Sequence, residues 1–394
     1  MLKNANPAWV SSLFLGATLF ALSPVNFAAQ QKKTSDPQLQ STMQAIAQTY
    51  ESFLPLVFDP EKFNAPENEE TIKQSINSLE RLFEKAEPHF KNSPITFHVS
   101  SLVLEDQLEG ARTAFDKDLK GYARQKLVGV AGVCSSCHIQ DKRSKHLFSN
   151  IHRDRFPSDF AYAEFLYLTR DYARASQFYE LFIPKANLVR DEENIRIALE
   201  RILMIHAQLL KDPEKAYDKL TYWYEKHPLP PTVRQDLSQW MAGLKEYIKE
   251  SGIDKDDIDY NQLDQYMSKH YVAIENQPVP MLADEKEKIF YLMLRGSLHD
   301  FLNDNPPQSQ IPVVLYWLAV CDRTLSYNFD FSLADWYLKE CILEYPNNPF
   351  AKKCYSAYEE YVKFAFAGAE EQSIPENVKK ELKNLKAKID NGKV

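Results

Sequence analysis

Apolar residues return every three or four positions in four stretches between residue 36 and about residue 142, the spacing of helices that bury one face. The first opens at Asp36-Pro37, a cap residue followed by proline at the first helical position, and places Met43, Ile46, Ala47, Tyr50 and Phe53 on one side. The second aligns Ile72, Ile76, Leu79 and Phe83. The third opens at Pro94 and turns Phe97, Leu104, Leu108, Ala111 and Phe115 inward. The fourth runs from near Asp118 through Leu119, Tyr122, Leu127 and Val130. Four such helices on short links predict an antiparallel four-helix bundle.

After a link near Asn150 to Pro157 the pattern changes to helix pairs. Tyr162, Ala163 and Leu166 precede Ala175 and Tyr179; Ala216, Leu220 and Trp223 are closed by Pro228; Ala334, Leu338 and Cys341 are closed by Pro346. Small residues let paired helices approach, and the next pair covers the apolar edge that is left. A last helix carries Val378, Leu382, Leu385 and Ile389 on one side and many lysines on the other, which predicts a terminal cap over 366–394.

Composition sharpens the fold class to all-α. Only 10 of 394 residues are glycine, too few for the positive-φ turns of a β-sandwich or a Rossmann sheet. A net charge of −8 gives no electrostatic reason to bind nucleic acid. Residues 1–29 predict a secretory signal peptide: Lys3 is basic, Leu13 to Leu22 is apolar, and Pro24 precedes Ala28 and Ala29. The expected location is the periplasm of a bacterium, with a membrane tether if that segment is retained.

The chemistry concentrates in Cys134-Ser135-Ser136-Cys137-His138, the C-x-x-C-H spacing of c-type haem attachment. Thiols three residues apart project from one helical face, so each can add to one vinyl group. His138, one turn beyond Cys134, is then the proximal iron ligand. One motif predicts one haem c. Two other readings of the dithiol stay open: a zinc site completed by His146 or His152, and a thioredoxin-like redox pair. Cys321, Cys341 and Cys354 fall at packing positions on neighbouring helices, where any two could pair or all could stay thiols.

A haem motif ending the last helix of a four-helix bundle, here GVAGVCSSCHIQDKR, resembles cytochrome c-prime and its low-spin relatives over about residues 36–146. The stretch LQSTMQAIAQTYESFLP is similar to that family's first helix and includes its late proline. The resemblance places Met43 at the distal face of the haem, as a sixth ligand or as plain packing; His98 is the rival ligand, ahead of His89 and His146. Leu39 stands where the family often has a propionate-binding arginine, and Gly132 is displaced from the family's glycine before the first haem cysteine. Lys142, Arg143 and Lys145 are candidate propionate or partner contacts, or a solvated helix end.

The segment YWLAVCDRTLSYNFDFSLADWYLKECILEYP is the clearest of several stretches that resemble tetratricopeptide repeats, spanning about 156–365 with a degenerate middle between 230 and 300. Such arrays grip peptides or proteins, or simply pack on a neighbouring domain. Together these features predict a mono-haem electron carrier with a redox partner protein and a helical-repeat interaction domain. The alternatives are a gas-binding or gas-sensing haem protein, and an assembly factor whose haem is structural. No Ser-His-Asp, P-loop or H-E-x-x-H pattern points to an enzyme.

Overall fold

A computed structural model of the chain describes residues 37–90, 95–140, 151–250, 284–303, 306–329, 333–366 and 374–391, with the backbone alone at 95–97, 135–140 and 326–329. The expected leader at 1–29, together with Asp36, Pro94, Lys142, Arg143, Lys145 and His146, lies outside these residues. Every regular element among the described residues is helical, so the all-α class holds. None of these helices is long and apolar enough to cross a membrane.

The first region consists of α1 (Pro37–Val57), a short α2 (Pro60–Asn64), α3 (Glu69–Ala86), α4 (Ile95–Asp116) and α5 (Lys120–Gln140). The four long helices pack in chain order, α1 on α3, α3 on α4 and α4 on α5, with α1 meeting α5 to close the group. Ile46, Tyr50 and Phe53 of α1, the four expected residues of α3, and Leu104, Leu108, Ala111 and Phe115 of α4 are all buried. The link before α5 is tight because Asp118 takes a positive φ of 59°, letting the chain reverse at once.

That reversal overturns part of the expected fourth face. Leu119 and Tyr122 are 56% and 53% exposed, while Leu127 and Val130 are buried as expected and are joined on the inward stripe by Ala123 and Ala131. Leu119 sits in the turn, where it lacks a helical neighbour to pack on, and Tyr122 lies outside with Lys126 Nζ over its ring. The helix was legible, but its phase at the first turn depended on where the turn ended.

The second region opens with α6 (Asp159–Leu168) and α7 (Tyr172–Phe182), capped by Ser158 and Asp171 side chains that accept from backbone N–H groups. It continues with α8 (Glu192–Leu203), a π-helical turn over Met204–Leu209, α9 (Pro213–Lys226), α10 (Pro231–Lys249), α11 (Lys288–Asn303), α12 (Ile311–Phe329), α13 (Ala334–Glu344), α14 (Pro349–Ala365) and α15 (Glu376–Asn391). Most helices pack on the next one or two in sequence, as stacked pairs do. The expected packing residues Tyr162, Ala163, Leu166, Ala175, Tyr179, Ala216, Leu220, Trp223, Ala334, Leu338 and Cys341 are all buried. So are Leu382, Leu385 and Ile389 of α15, while Val378 is only half-buried.

Candidate functional site

The motif lies in the last two turns of α5, and the helix continues through it to Gln140. The backbone therefore carries 134, 137 and 138 on one face, as the attachment chemistry needs. Cys134 is buried and forms no disulfide. The side chains of Cys137 and His138 lie outside the described residues.

A second residue fixes what lies opposite. Tyr50 of α1 is completely buried, and its hydroxyl donates 2.7 Å to the carbonyl of Leu127 on α5. Burial raises the phenol well above its ordinary pKa, and nearby Cys134 pushes it further in the same direction. Nearer the other end of the same helix pair, Arg124 Nη1 donates 3.2 Å to the carbonyl of Val57. These two ties set an antiparallel register. Met43 is seven residues before Tyr50 and Cys134 seven after Leu127, so both lie two turns from the tie, on the same level. Met43 is half-buried against the core. Sequence periodicity marked Tyr50 only as a core residue; its hydroxyl, which a phenylalanine would lack, was the signal that it made a specific tie.

The surroundings test the three readings of the dithiol. A redox pair is helped when its thiolate sits at a helix N-terminus, and here the motif sits at the C-terminal end, where the helix dipole disfavours negative charge. Among the described residues no three His, Cys, Asp or Glu side chains gather, and His152 is exposed in the link before α6; the zinc reading also calls on Cys137 and His146, whose side chains lie outside the described residues. A covalent haem asks for a helical C-x-x-C-H stretch, a thiol that is not already in a disulfide, and a facing side chain of suitable chemistry. The helical backbone through the motif and the disulfide-free thiol of Cys134 fit.

His98 begins α4 at the motif's end of the helix group, because α4 and α5 pack antiparallel. Its Nε2 stands 3.9 Å from Oε2 of Glu340 on α13. The rival ligand thus lies beside a buried carboxyl of the second region, too far for a hydrogen bond. Burial, with Glu344 nearby, lifts the Glu340 carboxyl to about 7. His89 lies in a short 3₁₀ turn after α3.

The second region also touches α5 directly. A methyl group at Gly132 would stand 3.3 Å from Leu168 Cδ2, so α6 comes close two residues ahead of Cys134. Phe58, following α1, packs edge-on against Phe156 and Phe165 with ring centroids 5.7 and 5.8 Å away. Gly132 therefore has a packing reason in this chain, one that only the tertiary structure supplies.

Of the remaining cysteines, Cys341 and Cys354 form a disulfide between α13 and α14, and Cys321 is a buried thiol. Burial, with Asp322 alongside, pushes the Cys321 thiol well above its ordinary pKa, which keeps it protonated and inert. No family model matches the chain, and no curated protein or solved structure matches it.

Proposed function

We propose that this chain is an exported mono-haem c-type cytochrome that carries electrons, with the second region serving as a tetratricopeptide-like array for protein interaction. The observation that carries the reading is the C-x-x-C-H stretch in the last turns of α5, with Cys134 buried, free of a disulfide and level with the thioether of Met43. Cys134 and Cys137 would hold the porphyrin through thioether bonds, and His138 would ligate the iron from the same helix. When bound, the group supplies a one-electron couple. Met43 would offer its sulfur as the second axial ligand and exclude small gases by doing so.

The chain's own residues explain how such a site is kept in shape. Tyr50 pins α1 to α5 two turns from the motif, so the distance between Met43 and the motif is set by helix geometry rather than by a loop. The Cys341–Cys354 disulfide supports export, since such bonds persist in oxidising compartments. A redox partner protein, and a peptide or protein ligand for the array, belong to the same proposal.

The test is spectroscopic. Mature protein made with a working haem-attachment system should gain the mass of one haem, stain for haem on a denaturing gel, and give a low-spin reduced spectrum. Cys134→Ala with Cys137→Ala should lose the covalent stain entirely. Met43→Ala should turn carbon monoxide binding by the reduced protein from slow to fast. If carbon monoxide already binds rapidly and Met43→Ala changes nothing, the distal site is open and the protein is a gas binder. A colourless product with the mass of bare polypeptide rules out the reading altogether.

A further inference from the structure

A groove of about 310 Å³ runs along the outer side of α4 where the chain turns into α5. Gly110, Thr113 and Ala114 line it along α4. Leu119 and Tyr122, the two apolar residues that the turn leaves outside, border it from the α5 side. Lys126 crosses the α4 backbone at Gly110, where a methyl group would stand 3.1 Å from its Cε, and reaches Asp106 at 2.8 Å.

Most charges around the groove are satisfied within the chain. Besides Lys126 with Asp106, Arg112 meets Glu80 at 2.9 Å, Lys73 meets Asp116 at 3.2 Å, and Lys120 meets Glu69 at 2.8 Å. Glu109 and Lys117 differ. Both line the groove and are exposed, and among the described residues neither side chain makes an ion pair or a hydrogen bond. Eight residues separate them, about 12 Å along the helix axis. The groove thus carries an unused acid towards one end and an unused base at the other.

What covers such a face follows from its shape and its charges. Leu119 and Tyr122 are both more than half exposed, so the groove is shallow, whereas small-molecule pockets enclose most of the ligand's surface. A two-fold interface needs a patch complementary to itself. Thr113 is the midpoint between 109 and 117. A two-fold axis across α4 at that residue lays Glu109 of each copy against Lys117 of the other, and brings Leu119 towards the other copy's Asp106–Gly110 end. Elsewhere a net charge of −8 makes two copies repel, while this face supplies its own opposite charges. We propose that the α4–α5 groove is the interface of a symmetric dimer formed with a second copy of this chain. The inference does not rest on the haem reading.

The experiment measures the mass of the mature full-length protein by light scattering and sedimentation over a range of concentrations. Wild type should have twice the monomer mass. E109K and K117E each set like charges opposite one another at two symmetry-related places and should weaken the dimer about tenfold or more. The double variant E109K/K117E exchanges the two charges and should restore it. L119S should also dissociate the dimer, whereas V189S, which alters an 87% exposed valine far along the chain in the second region, should not. All these positions are exposed, so folding is not put at risk. A wild type that stays monomeric at every concentration overturns the proposal. So does a dimer indifferent to E109K and K117E, or one that V189S weakens as much as L119S. Single variants that dissociate without rescue by the double variant overturn it too, because a partner other than a second copy would not follow the exchange.

Discussion

The two regions of this molecule are both helical and are stabilised differently. In the first, over α1 to α5, the buried side chains are almost all apolar, and Asp59 and Ser101 are the buried polar residues described there. Its ion pairs, such as Lys73–Asp116 at 3.2 Å with 52% and 42% of the side chains exposed, lie on the surface, where they contribute little. The second region buries Ser176, Glu200, Arg201, His206, Gln208, Arg295, Asp322, Thr324 and Glu340. Arg295 Nε meets Asp322 Oδ1 at 2.7 Å, and Asp322 Oδ2 also accepts the Leu333 N–H at 2.7 Å. Arg196 stands between Glu200 at 2.5 Å, Asp236 at 2.7 Å and Glu285 at 3.5 Å. An apolar core tolerates sliding, whereas a buried charge fits only one partner. Stacked helix pairs share a similar apolar face and are open to register errors that ionic contacts exclude.

The comparison can be tested with a convenient reporter, because Trp223, Trp240, Trp317 and Trp336 all lie in the second region and none of the described tryptophans lies in the first. The largest effect is expected at Arg295. Arg295→Met leaves Asp322 buried without its cation and should cost about 3–5 kcal/mol, read as a lowered urea midpoint in tryptophan fluorescence. Arg295→Met combined with Asp322→Leu should recover part of that loss. If the single variant is neutral, the buried pair does not distinguish the two regions.

Next in size is the disulfide. Cys341 and Cys354 are 13 residues apart, and closing a loop of that length should stabilise the fold by about 3 kcal/mol. Cys354→Ala should lower the thermal midpoint of the tryptophan signal, and a reducing agent should lower wild type to the same value. If the proposed haem is attached, its spectrum should respond less, since no disulfide ties α1 to α5 among the described residues.

The smallest of these effects is the pH dependence. Burial lifts the Glu200 carboxyl to about 7 despite the opposing pull of Arg196 and Arg201, and Glu340 is lifted to about 7 as well. A carboxyl whose pKa is raised on folding binds more protons in the folded state, so stability falls as pH rises from about 4.5 to about 7 and levels off above that. Each group should contribute roughly 1–3 kcal/mol across that window. Glu200→Gln should flatten the decline in urea midpoint between pH 5 and 7.5. An unchanged slope would show that Glu200 is ionised throughout, held by its arginines.

Periodicity alone located the four long helices of the first region and several helices of the second, though not Pro231–Lys249 or Lys288–Asn303, because burial of one helical face leaves a mark every three or four residues. Ile72, Ile76, Leu79 and Phe83 illustrate how directly that mark reads. The C-x-x-C-H stretch could be picked out for a different reason, since the attachment proposed for it is local: two thiols and an imidazole must share one turn. What periodicity missed is equally physical. Leu119 and Tyr122 are apolar and still lie outside, because Leu119 falls in the turn before the helix and Tyr122 stands about 140° round the helix from the buried Leu127. Glu200, Arg295 and Glu340 read as surface residues by type, and nothing in the local sequence announces a partner forty or more positions away, such as Asp236 for Arg196.

The sequence by itself determined the helical class and most of the core stripe in the helices it marked, and it singled out the C-x-x-C-H stretch on which the haem proposal rests. Each depends on neighbours within a turn or two of helix. Only the tertiary structure decided that the Tyr50–Leu127 tie sets Met43 level with Cys134, that Cys341 joins Cys354, and that the buried Glu340 lies 3.9 Å from His98. These are relations between distant segments, and they are fixed by helix register and crossing, which no short window of residues contains.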